Sequence, residues 1–223
     1  MNRKAVGMAA LLTVLTMIGA AIAVGASLPG DARLPIHWGV DGQPDDFAGK
    51  WLALLLPAAV VSGASLLFWF LPSLEPRKEG LARSQGLYLW GWLGLLLVGG
   101  ALQLAVVSAA LGWGLPVNRL VAAAVGAMLA AIGNQLGKSR SMYTIGLRTP
   151  WTLASEEVWV RTHRLGGKLM VGAGLVILLA ALAPLPAEAL PLLIVAAVAA
   201  AALVPVVYSY LLWRREAGDQ PRG

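Results

Sequence analysis

The chain predicts an all-α, polytopic membrane bundle of about six transmembrane helices, with both termini cytoplasmic. Three observations carry that prediction. The mean hydropathy is +0.74, and only 13% of residues are charged where an average soluble domain has about 25%. Long stretches lack any Asp, Glu, Lys or Arg. The remaining Lys and Arg are sharply partitioned between alternate connections.

The uncharged stretches run over 5–30, 51–74, 84–118, 120–137, 169–187 and 189–213. Each can supply the roughly 20 apolar residues that a spanning helix needs. The first follows Arg3-Lys4 and ends in "AVGAS", an arrangement shared with secretory signal peptides. Its apolar stretch exceeds the usual signal core of about 7 to 15 residues, so it reads as a retained span. The third is longer than a bilayer requires, and "GWGLP" places its end near Gly112. The fourth carries Gly126, Ala130, Gly133 and Gly137 at helical spacing, which suits close packing on another helix. The fifth and sixth meet at "APLPAEALP", whose prolines mark a hairpin.

With six spans, the N-terminus, 75–83, 138–168 and the C-terminal tail share one side and hold 14 of the 17 Lys and Arg; Arg33, Lys50 and Arg119 lie on the other. Positive charge is retained on the cytoplasmic side during insertion, so the formal charge of +6 reports topology and attraction to lipid, not nucleic-acid binding. The absence of cysteine excludes disulfide and thiolate chemistry.

The outer segment, "LPGDARLPIHWGVDGQPDDFAGK", is rich in Pro, Gly and Asp and predicts a turn-built loop. His37, Trp38, Asp45 and Asp46 are its candidate contact residues. Their spacing matches no calcium loop, so no metal is assigned, and Trp38 with Trp51 suits the headgroup level.

The inner segment, "RTPWTLASEEVWVRTHRLGG", concentrates the chemistry. Ser155 followed by Glu156 and Glu157 predicts a helix start, and Gly166-Gly167 a stop. Glu157 and Arg161, and Trp159 and His163, are i,i+4 pairs, while Val158, Trp159, Thr162 and Leu165 form an apolar stripe. These features predict a short amphipathic helix on the cytoplasmic interface. Pro150 keeps Thr149 extended. An interfacial anchor and a binding site both satisfy this pattern. Arg148 is the favoured ligand-facing residue, because a guanidinium pairs bidentately with a carboxylate or phosphate.

"GNQLGK" with Asn134, followed by "YTIGLRTPWTLASEEVWVRTHRLGGKL", resembles the SdpI family of bacterial membrane proteins. Gly133, Asn134, Gly146, Arg148, Thr149, Pro150, Trp151, Thr152, Leu153, Ser155, Glu156, Glu157, Trp159, Thr162, His163, Arg164, Leu165 and Gly167 stand at the positions of its pattern. Met142 departs from it, at a point where relatives are expected to carry Asn. "LPIHWGVDGQPDDFAGK" is similar to the DUF1648 segment that precedes SdpI-type regions. The division implied is 1–74, DUF1648-like with two spans and the outer loop, and 75–223, SdpI-like with four spans and the inner motif.

The resemblance implies a multi-pass protein of the bacterial plasma membrane that confers immunity to a secreted antimicrobial peptide toxin and captures a cytoplasmic transcriptional repressor. The cytoplasmic binding set it implies is Asn134, Arg148, Thr149, Pro150, Trp151, Thr152, Glu156, Glu157, Trp159, His163 and Arg164, with no cofactor. Two other classes compete. An intramembrane hydrolase would need a nucleophile or metal beside Glu156, Glu157 and His163, but the sequence contains neither HExxH nor GxSxG, and His37 lies across the membrane from His163. A transporter would suit Pro57, Pro191 and Pro205, but the spans lack ionisable residues. Their polar residues Gln103, Asn134 and Gln135 read as interhelical hydrogen-bond formers.

Overall fold

The computed structural model describes residues 2–186 and 189–219. Six helices are long and apolar enough to cross a membrane: α1 (Arg3–Ser27), α2 (Lys50–Leu74), α4 (Gln85–Leu111), α5 (Val117–Leu136), α7 (Glu156–Leu182) and α8 (Ala189–Asp219). Two short helices, α3 (Lys78–Arg83) and α6 (Pro150–Ala154), and a hairpin of β1 (Arg33–Trp38) and β2 (Pro44–Gly49) complete the described elements. The chain is a multi-pass membrane protein of all-α class, as its sequence predicts.

Local chemistry sets several boundaries. The Asn2 side chain accepts a hydrogen bond from the Ala5 amide at 2.9 Å and caps α1. Gly112 adopts φ +68° and closes α4 at the expected place. Pro57 and Pro205 lie within continuous helices. The turn between α7 and α8 lies partly outside the described residues.

The outer segment is more ordered than a turn-built loop. β1 and β2 pair antiparallel, with the register shifting on both sides of His37. Pro44, Asp45 and Asp46 are poor strand formers, which hides the strand in the sequence. The pairing is held from below: the Lys50 amide donates to Ala32 O, and the Lys50 ammonium to Leu28 O at 2.7 Å. Leu34 packs with Ala21, Leu54 and Val106 of α1, α2 and α4.

The predicted interfacial helix does not form as a separate element. Ser155 caps the helix by accepting from the Val158 amide at 3.2 Å, but α7 then continues through Gly166-Gly167 to Leu182. The apolar stripe faces protein, with Val158, Trp159 and Thr162 fully buried. The glycines permit close approach instead of stopping the helix. A Cβ on Gly167 would lie 2.7 Å from Gly133 O, and one on Gly133 2.7 Å from the Val171 nitrogen. At Gly174 it would meet Gly126 O and the Ala130 nitrogen, both at 2.5 Å. Thus α5 and α7 touch backbone to backbone along the small-residue row read from the sequence, the device that lets helices associate where lipid removes the hydrophobic drive.

Aromatic packing joins α2 and α4. Trp92 is buried against Phe68, Trp69 and Tyr88, and its indole N–H donates to Ser65 Oγ at 3.0 Å. Gln103 forms the expected interhelical bond, donating to Leu54 O at 3.2 Å. Asn134 does not, being exposed on α5.

The seam predicts opposite outcomes for two neighbouring glycines. Gly174→Ala forces backbone apart and costs about 1–3 kcal/mol, as overpacking does, whereas Gly172→Ala, whose Cβ meets open space, leaves stability level or slightly raised. Thermal unfolding of the two variants in one detergent checks this.

Candidate functional site

The polar residues at the face assigned to the cytoplasm assemble around the end of α2. Glu75 follows its last residue and is 1% exposed. A buried carboxylate at a helix C-terminus is opposed by both desolvation and the helix dipole. It is held here by converging donors: the Tyr143 amide at 3.0 and 3.1 Å, the Thr144 amide at 2.8 Å, the Thr144 hydroxyl at 2.6 Å and the Arg77 amide at 2.8 Å. Burial raises the Glu75 pKa, but these hydrogen bonds outweigh it and hold the carboxyl below its ordinary range.

Arg77 forms a second arm. Its guanidinium donates to Ser141 Oγ, to the Tyr143 hydroxyl at 3.2 Å and to Leu153 O at 3.1 Å, and lies 4.6 Å from the Tyr143 ring centroid. Glu75 therefore holds the backbone of the loop after α5, and Arg77 fastens that loop to α6. Glu156 adds a weaker contact, accepting from the Ser141 amide at 3.3 Å with Arg140 3.9 Å away.

Beneath the loop, Trp159 and His163 stack with ring centroids 3.9 Å apart, both fully buried. The Trp159 indole donates to Ser139 Oγ at 3.2 Å. His163 Nδ1 lies 2.8 Å from Trp159 O, and Nε2 accepts from the Leu147 amide at 2.9 Å. That pair of contacts defines a neutral imidazole protonated at Nδ1. Both ring nitrogens are committed to backbone, so His163 is a packing and positioning residue. Gly146, at φ +119°, fits over the pair, where a Cβ would come within 2.7 Å of His163 Nε2. Met142, at the departure from the sequence pattern, is a fully buried apolar plug packed in the main core.

The Arg148–Thr152 stretch forms a rigid entry to α7. Thr149 is extended, Pro150 opens α6, and Thr149 and Thr152 exchange a reciprocal capping box. Thr152 also donates to Leu147 O at 2.8 Å. Trp151 ties the entry to α8, its indole donating to Ser209 Oγ at 2.5 Å and its ring meeting Tyr210 edge-on at 5.4 Å. Arg148 donates to Tyr143 O at 2.6 Å and is otherwise exposed, with no carboxylate partner among the described residues. Glu157 pairs with Arg161 at 3.4 Å, as the i,i+4 spacing predicts, and Arg164 is exposed beside them.

Of the predicted cytoplasmic residues, Arg148, Thr149, Pro150, Trp151, Thr152, Glu156, Trp159 and His163 thus share one assembly, with Glu157 and Arg164 on its exposed edge. Asn134 stands apart. The sequence reading missed Glu75, Arg77, Ser139, Ser141, Tyr143, Thr144 and Ser209. A carboxylate directly after a spanning helix was a signal for Glu75, since the dipole there requires compensating donors. On the opposite face, His37 Nδ1 lies 2.6 Å from Asp45 Oδ1, Asp46 accepts from the Phe47 amide at 2.8 Å, and Trp38 packs beside the hairpin core.

Comparison with known proteins shows the resemblance read from the sequence. Residues 138–209 match the SdpI/YfhL protein family, and residues 11–61 match a domain of unknown function, DUF1648. The chain is also 26% identical over 188 residues to the immunity protein SdpI of Bacillus subtilis (strain 168), covering 84% of this chain and 87% of that protein. No solved structure matches significantly.

Glu75 makes the loop pH-sensitive in a definite direction. Its pKa is lowered on folding, so its stabilisation is complete above the ordinary carboxylate range and is lost as pH falls through that range to the lowered value. Hydrogen exchange of the Tyr143 and Thr144 amides should accelerate, relative to the intrinsic rate, over that acid window. Glu75→Gln should already expose them at neutral pH, at a local cost of about 2 kcal/mol for charged hydrogen bonds lost, and should remove the pH dependence.

Proposed function

We propose that this protein resides in a bacterial plasma membrane and confers immunity to a secreted antimicrobial peptide toxin. The observation that carries this reading is the similarity to the immunity protein SdpI, which extends over 84% of the chain and so includes both the outer hairpin and the inner motif. The role is one of binding and not catalysis. The commitment of both His163 ring nitrogens to backbone supports it, because it removes the inner face's only histidine from acid-base work.

The inner assembly is read as the surface for a cytoplasmic partner. Glu75, Arg77, Trp159, His163 and the Thr149–Thr152 cap spend their polar groups on the loop and its flanking turns, which rigidifies the loop. Arg148 and Arg164 stand exposed around it, while Arg161 is exposed but paired with Glu157. A preformed cationic rim on a fixed loop suits an acidic surface of a regulatory protein such as a repressor, since little ordering entropy is left to lose on binding. The N-terminal 1–74 region would then supply the outer hairpin and the 75–223 region the inner motif.

Survival of a toxin-sensitive bacterium expressing the protein at verified membrane levels tests this reading. Wild type should protect. Arg148→Ala should lower the tolerated toxin concentration about tenfold, the scale of a lost charge-assisted contact, and Arg148→Lys should restore little of it if the contact is bidentate. Absence of protection by wild type would reject the immunity role, and full protection by Arg148→Ala would remove the inner motif from it.

A further inference from the structure

The outer face contains a groove that the inner motif does not explain. It lies between the β1–β2 hairpin and the outer ends of α4, α5 and α8, with a volume of about 950 Å³. Its helix-side wall is apolar, formed by Leu102, Val121 and Ile194 from the three helices, and Trp38 of the hairpin lines it from the other side. Its water-side rim carries the carboxylates of Asp41 and Asp45, both exposed.

The hairpin is latched over this groove. Asn118 at the start of α5 donates to Val40 O at 3.3 Å, and a Cβ on Gly42 would come within 2.8 Å of the Asn118 amide. Arg119, which follows the latch residue, does not neutralise the rim. It turns its guanidinium to the carbonyls of Ala181, Ala183 and Leu185 at the C-terminus of α7, where a cation offsets the helix dipole. His37 sits on one oxygen of Asp45 and the Gln43 amide donates to one oxygen of Asp41 at 3.0 Å, leaving the second oxygen of each carboxylate at the groove lining without a cation partner among the described residues.

An apolar trough inside the outer leaflet, closed at its water end by carboxylates, is complementary to a chain whose apolar segment ends in positive charge. We propose that this groove binds the apolar segment of a membrane-active peptide, with a cationic end of that peptide held by Asp41 and Asp45. This rests on the immunity reading and supplies the place where the toxin would be met. The two contributions differ in kind: close packing against the apolar wall holds the segment, and the exposed ion pairs at the rim add little affinity but set which end of the peptide sits there.

The chain has no cysteine, so one introduced at Val195, an exposed residue lining the groove, carries a single environment-sensitive fluorophore. Val195→Cys, labelled with bimane in phosphatidylcholine vesicles, is titrated with a Leu/Ala peptide of about 20 residues bearing paired lysines at one end, and with a twin bearing glutamates. The lysine peptide should give a saturable change, the glutamate twin little. Adding Asp41→Asn and Asp45→Asn, which keep the turn's acceptor oxygens, should raise half-saturation about fivefold, as expected for exposed ion pairs. Equal responses to both peptides, a response to neither, or an unchanged titration in the double variant would overturn the groove assignment.

The survival assay separates this failure from that of the immunity reading. Protection by wild type and double variant alike removes the groove and leaves immunity standing. Charge-selective peptide binding without protection by wild type does the reverse.

Discussion

Backbone-to-backbone contact between α5 and α7 is the constraint on which the remaining geometry depends. In lipid, two helices gain nothing by merely covering apolar side chains, so close approach and the dispersion it brings must supply the association. Gly126 and Gly133 on α5 face Gly174 and Gly167 on α7 with no room for a Cβ on either side. Fixing these helices also fixes the two ends of the loop between them. Gly137, at the end of α5, lies against the backbone of Arg164, so the chain leaving α5 has to travel back along α7 before it can enter it. Trp159 and His163 are the surface on which that return path is laid.

The loop carries many backbone polar groups over a buried surface, and each needs a partner. Two neighbours at the end of α2 provide several of them. Glu75 gathers amides 143 and 144, and Arg77 reaches Ser141, Tyr143 and the last turn of α6. The opposing tendencies of burial and hydrogen bonding at Glu75 resolve in favour of the carboxylate because its donors are preplaced by the same loop it organises. His163 completes the set by accepting from Leu147, which makes a neutral ring more useful here than a charged one. Stacking on Trp159 then buries both aromatic faces without exposing a polar edge.

Spans, their order and the small-residue row of α5 were legible because hydropathy and glycine spacing act locally along one helix. The Ser155 cap, the Glu157–Arg161 pair and the Trp159–His163 stack were legible for the same reason: each lies within one turn. Gly166-Gly167 was misread because glycine both ends helices and lets them touch, and only the partner helix decides between the two. The strand at Pro44–Gly49 was hidden because its support comes from Lys50 and the ends of α1, α2 and α4, not from its own residues. Glu75 and Arg77 were missed because their partners lie more than sixty residues away.

Among the spans, α5 and α7 carry contacts at both polar faces, which bears on how a ligand on one could affect the other. α5 carries Asn118, latched to the hairpin, at its outer end and Gly133, seated on α7, near its inner end. α7 carries the Arg119-bound carbonyls at its outer end and Trp159 and His163 at its inner end. Packed backbone to backbone, the two helices are coupled, so an outer ligand that altered the inner loop would have to do so by moving the pair against its neighbours. Such movement would strain the contacts that tie the loop to those neighbours, namely Glu75 with Tyr143 and Thr144, and Trp151 with Ser209. A ligand shifts that balance only by binding one arrangement more tightly than the other. The latch at Asn118 is where that difference in affinity would arise, because a peptide in the proposed groove would contact the hairpin and α5 at once.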